Sequence, residues 1–95
     1  MNFPIGLSTA DKFKLIRERE GNLSQRAFAD LIGISRGIIS QVEVGRNKPG
    51  LDVISKIAAH PQFLPYAMWL IVDEITDEQA EDAMNYLRSL QEGKK

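Results

Sequence analysis

No cysteine occurs among the 95 residues, which excludes a disulfide framework and a thiolate metal site. A chain this short must then draw its stability from packed apolar side chains or from a partner. The single histidine, His60, precedes Pro61 at a helix end, and no pattern of Ser, His and acid offers an activated nucleophile, so the chain is not expected to be an enzyme. Neither a glycine-rich phosphate loop nor an EF-hand spacing is present, so no nucleotide, metal, other cofactor or small-molecule substrate is implied. The longest apolar run, Phe63 to Val72, contains Pro65 and is far shorter than the roughly 20 residues that span a bilayer. A basic stretch leading into an apolar core, the mark of a secretory signal, is also lacking. The reading is a cytoplasmic protein with no membrane partner.

What is present is an uneven charge. Residues 1–60 carry nine Lys or Arg against six Asp or Glu, whereas residues 61–95 carry three against seven. The formal net charge of -1 therefore conceals a basic half followed by an acidic one. This suggests residues 1–60 as one domain and residues 61–95 as a helical extension, with His60-Pro61 at the boundary.

Period-two alternation is absent and glycines fall where helices would end, so the expected fold class is all-α. A first helix starts after Ser8, with Asp11 as the reciprocal arm of a capping box, and stops at Gly21. Phe13 and Ile16 point inward, leaving Lys12, Lys14 and Arg19 toward water. A second helix opens at Ser24 and turns Ala27, Phe28, Leu31 and Ile32 inward before Gly33 ends it. Ser35 caps a third helix from Arg36 to about Val44, closed by Gly45. Two short helices joined by a glycine-containing turn form a helix-turn-helix. The run from Gly45 to Gly50 reads as a polar loop, followed by a fourth helix with Leu51, Ile54, Ile57 and Ala58 as its apolar face. A fifth helix, Leu64 to Ile75, is apolar nearly all round and needs cover. A last one begins at Asp77 with acids in its first turn, carries Ala80, Ala83, Met84, Leu87 and Leu90 on one side, and gives way to a frayed tail, Gly93-Lys94-Lys95.

The third helix is the unusual one. At about 100° per residue, with Ile39 as the inward reference, Arg36, Gly37, Ser40 and Val44 fall between about 60° and 160° and Gln41 at about 200°. That face has no acid and few bulky groups, as a helix entering a DNA groove requires. Arg36 can fork onto guanine O6 and N7, Gln41 can pair with adenine N6 and N7, and Ser40 can donate to a base edge or phosphate. Gly37 permits close approach at some cost in helix propensity. Ile38 borders the core side and is expected half-buried. Ser24, Gln25 and Ser35, at helix starts, are candidate phosphate ligands, as are Arg46, Asn47 and Lys48 in the basic loop.

The stretch Leu23-Ser24-Gln25-Arg26-Ala27-Phe28-Ala29-Asp30-Leu31-Ile32-Gly33-Ile34-Ser35-Arg36, followed by Ile39-Ser40-Gln41-Val42-Glu43-Val44-Gly45-Arg46-Asn47-Lys48-Pro49, resembles the Cro/CI-type (XRE) helix-turn-helix family. The resemblance covers residues 9–59. It implies a compact lambda repressor-like DNA-binding domain, commonly dimeric, with its third helix in the major groove. It further implies that Gln25 holds a phosphate, that Arg36, Gly37 and Gln41 face bases, and that Arg17 pairs with Glu43. Gly37 and Val44 stand where that family commonly has polar residues.

The C-terminal third, with His60-Pro61-Gln62-Phe63, Tyr66, Met68-Trp69-Leu70 and Ile75, resembles the short single-domain C-type immunity repressors of temperate phages. This implies a transcription repressor that binds a double-stranded DNA operator as a homodimer; a prophage-derived bacterial regulator has the same appearance. Met68, Trp69, Ile71 and Val72 exceed what one core can cover, and with Ala83, Met84, Leu87 and Leu90 they form the expected dimer interface. The alternative is an antitoxin-type DNA-binding protein whose C-terminal helices hold a partner protein.

Overall fold

The computed structural model describes residues 3–93 and contains six helices: α1 (Thr9–Arg19), α2 (Gln25–Ile32), α3 (Arg36–Glu43), α4 (Leu51–Ala58), α5 (Leu64–Val72) and α6 (Asp77–Glu92). No strand occurs among the described residues, and the fold is all-α. Helix starts follow side-chain chemistry. Ser8 Oγ accepts from the Asp11 amide at 3.1 Å and Ser24 Oγ from Ala27 at 3.0 Å, each satisfying an amide that has no partner within the helix. Ser35 occupies the N-cap position of α3 in extended conformation but makes no side-chain cap bond. The reciprocal arm expected from Asp11 has no counterpart at Ser8, whereas Thr76 and Gln79 complete a capping box at α6. Gly33 ends α2 at φ 80, a backbone state that a Cβ disfavours, and so turns the chain sharply into α3.

The core is continuous across residue 60. A ladder of aromatic rings runs from Phe13 to Phe28 (centroids 6.1 Å apart), Phe63 (6.1 Å), Tyr66 (6.2 Å), Trp69 (6.5 Å) and back to Phe3 (5.8 Å). Ile16, Ile39, Val42, Val53 and Ile57 fill in around it. Each such side chain contributes about 1.5–3 kcal/mol by leaving water. Helix α5 thus packs on α4 and α1, while α6 packs chiefly on α5.

Several residues sit differently from the sequence reading. Lys12 is buried, not solvated: its Nζ donates to the Trp69 carbonyl at 2.9 Å and pairs with Asp73 at 2.7 Å. On α2, Ala27 and Leu31 are exposed and Ala29 is buried in their place. On α4 the inward face is Val53 and Ile57; Leu51, in the first turn, reaches past the core into solvent. Helix α5 ends at Val72, three residues early, because Asp73 takes a positive φ of 64. Ile75 remains buried in the turn beyond. Trp69 is wholly enclosed by its own chain, its Nε1 donating to the Pro4 carbonyl at 3.0 Å, and is therefore removed from any dimer interface. Of the frayed tail, Lys94 and Lys95 lie outside the described residues.

Candidate nucleic-acid interface

The position of α3 is determined from beneath. Ile39 and Val42 enter the core, and Glu43, with a side chain 2 % exposed, meets Arg17 of α1 in a two-pronged contact: Nε to Oε2 at 2.8 Å and Nη2 to Oε1 at 2.7 Å. The remaining guanidinium prong donates to the Leu23 carbonyl at 2.8 Å. Hydrogen bonding to Glu43 raises the Arg17 pKa further, against the opposing effect of burial, so the charge stays in place. The ion pair implied by the family resemblance is present.

The same carboxylate reaches toward the surface. Gln25 Nε2 donates to Glu43 Oε1 at 3.2 Å, and Gln25 Oε1 accepts from Arg36 Nη1 at 3.4 Å. A hydrogen-bonded series thus runs Arg17, Glu43, Gln25, Arg36, from the buried pair to the exposed start of α3. Sequence reading gave Gln25 only an outward task; its amide in fact bridges inside the chain. The Gln25 to Glu43 spacing carries no local signal, since the two residues meet only when α2 and α3 fold against each other.

Outward, Gly37 and Gln41 line a shallow groove of about 570 Å³ together with Ser35, Ile38, Asn47 and Lys48. Its far wall comes from Pro49 and Gly50 and from Asp52 and Val53 of α4. Arg36 and Gly37 are exposed, while Ser40 and Gln41 are half-exposed. Ile38, at 37 % exposure, is more open than expected and borders the same groove. No neighbour comes closer than 3.9 Å to where a Cβ on Gly37 would lie, so the space over α3 is open. Ser24 is exposed with its oxygen engaged as a cap, which leaves its O–H able to donate. Arg46, Asn47 and Lys48 are all exposed. Their loop folds back because the Arg46 and Asn47 amides both donate to the Gln41 carbonyl, at 3.0 and 3.3 Å, with Gly45 at φ 79 making the turn. Asp52 is the one acid on the groove wall; it comes from α4 and reaches this face only because the fold brings the two helices to one groove.

Elsewhere, the candidate interface residues divide. Ile71 and Val72 are exposed and so is Leu90, whereas Met68, Ala83, Met84 and Leu87 are half-buried. Among the described residues no group of three or more His, Cys, Asp or Glu side chains comes together to hold a metal, and no helix is long and apolar enough to cross a membrane.

Comparison with known proteins bears on the same region. The family described as Helix-turn-helix matches residues 13–64. The chain is 38 % identical over 69 residues to Repressor protein C of Escherichia phage P2, an alignment covering 73 % of this chain and 69 % of that protein. No solved structure matches the chain.

Proposed function

Because the chain belongs to the helix-turn-helix family, as a DNA-binding regulator of the phage-repressor kind, we propose that it is a phage or prophage repressor. In this reading it acts in the cytoplasm, binds operator DNA as a homodimer, and has no enzymatic activity. Residues 1–60 read the duplex and residues 61–95 join the subunits. Arg36, Gly37, Ser40 and Gln41 meet base edges in the major groove. Ser24, Gln25, Ser35, Arg46, Asn47 and Lys48 hold phosphates on either side.

The observation that carries this reading is the outward face of α3. It is anchored through Glu43 and Gln25, free of acids along Arg36 to Gln41, and followed at once by an exposed basic loop. Phosphate contacts from such a loop supply affinity, and the α3 side chains supply discrimination. Each chain carries one α3, so reading two successive faces of the major groove, which recur about every 34 Å, takes two copies, and a chain with a longest dimension of 38 Å is of the size to sit beside its partner at that spacing. Exposed Ile71, Val72 and Leu90, with the half-buried Met68, Ala83, Met84 and Leu87, offer an apolar surface for the second. No observation favours the antitoxin alternative.

Selection of bound duplexes from a random pool tests the proposal. A recovered consensus with two related half-sites supports it; recovery of unenriched sequence contradicts it.

A further inference from the structure

We propose that Asp73 is a positioning residue that fixes the direction in which α6 leaves the DNA-reading half, and so sets the separation of the two reading helices in the homodimer. The inference rests on the homodimer reading above.

Asp73 follows directly on α5 with φ 64 and ψ -34, close to a γ-turn, which is rare and strained, and the Glu74 amide closes it by donating to the Val72 carbonyl at 2.7 Å. Its two carboxylate oxygens tie two separate segments to this corner. Oδ2 accepts from the Gly6 amide at 3.1 Å, and Oδ1 lies 2.7 Å from Lys12 Nζ. Lys12 in turn donates to the Trp69 carbonyl at 2.9 Å and lies 5.0 Å from the Trp69 ring centroid. One buried ammonium therefore closes the C-terminal end of α5, where a cation is favoured, and holds Asp73 from α1. Lys12 and the Gly6 amide keep the Asp73 carboxyl below its ordinary titration range, so the clasp remains charged.

Three residues later the capping box of Thr76 and Gln79 starts α6, and buried Ile75 and Ala80 seat its first turn. Past that turn, half-buried Ala83, Met84 and Leu87 pack α6 on α5, and near its far end Gln91 Nε2 donates to the Ala59 carbonyl at 3.0 Å, contacts that hold only for the direction set at the Asp73 corner. With 16 residues, α6 is about 24 Å long at about 1.5 Å per residue. A swing of about 10° at Asp73 then displaces its far end by about 4 Å, more than the roughly 3.4 Å rise of one base pair. Lost definition at this corner is thus lost definition of half-site spacing.

The absence of cysteine makes the test direct. A spin label on Asp30→Cys, exposed on α2, reports the distance between reading halves across the dimer. The labelled full-length chain is measured with Asp73 intact, as Asp73→Asn, which keeps the turn and removes the charge, and as Lys12→Met, which removes the cation. The expected result is one narrow distance with Asp73 intact and, in both variants, a distribution broadened by about 4 Å at unchanged sedimentation and helical circular dichroism. A dimer whose distance distribution is the same in all three proteins overturns the role of Asp73 alone. A monomer in sedimentation of the unsubstituted chain overturns the homodimer reading, and the role of Asp73 with it.

Discussion

Arg17 holds Glu43 through two parallel hydrogen bonds, of 2.8 and 2.7 Å, and that carboxylate also accepts from Gln25. The pair joins α1 to the C-terminal end of α3 at a point where Glu43 is almost fully out of water. Its geometry is the bidentate fork in which an arginine and a carboxylate bind most strongly, and Gln25 transmits that placement to Arg36.

Breaking the pair on one side leaves a buried charge alone. Arg17→Met is expected to destabilise the fold by about 3 kcal/mol, the lower end for a buried pair because Arg17 retains some solvent contact. Arg17→Met combined with Glu43→Leu is expected to recover most of that loss, since two apolar groups can replace a buried pair at little cost. Urea denaturation of the three chains measures both effects.

Arg36 and Lys48 should separate in their consequences. Arg36→Ala is expected to cost about 1–3 kcal/mol on the selected operator and to relax its base preference. Lys48→Ala is expected to weaken every duplex alike and to reduce the salt slope by about 1. Gel shifts on matched and scrambled duplexes at two salt concentrations distinguish the two.

Leu87 is half-buried on the outer part of α6. A carboxylate there has no partner in an apolar contact between subunits. Leu87→Asp is expected to shift the sedimenting species to monomer and to weaken operator binding in parallel; a dimer of unchanged affinity would remove α6 from the interface.

Tyr66 gives the fold an alkaline limit. Its hydroxyl donates to Glu20 Oε2 at 3.0 Å, and burial, reinforced by the Glu20 charge and this bond, pushes the phenol up to about 12 from 10.0. The protonated phenol is the form that the fold favours, so the stabilisation is complete below pH 10 and is lost as pH rises through about 12. Tyr66→Phe is expected to cost about 1 kcal/mol at neutral pH and to flatten the fall in stability above pH 10, as followed by thermal unfolding across that range.

Most helix starts and the acid-free outward face of α3 were legible because their causes are local: a serine at a helix start, a glycine in a turn, small polar residues on one side; the end of α5 was not, because it rests on Asp73 and its distant partners. Misplaced residues trace to distant partners. Lys12 looks like a surface charge until the Trp69 carbonyl, 57 residues away, supplies its acceptor. Trp69 looks like surplus apolar area until Phe3 and Pro4, in a segment without helical periodicity, cover it. Leu51 has the spacing of an inward residue, but the first turn of α4 overhangs the core and Val53 takes the inward place. The bridging role of Gln25 depends on how α2 and α3 meet, which neither helix encodes alone.

Entry of α3 into a duplex is the event on which the proposed DNA reading depends. Adding a duplex recovered by selection to isotopically labelled protein and following backbone amide resonances tests this directly. The expected result is that the largest shifts fall at Gln25, from Arg36 to Gln41 and from Arg46 to Lys48, with the amides of α6 little changed. Shifts concentrated on α6 while α3 stays unmoved would contradict it.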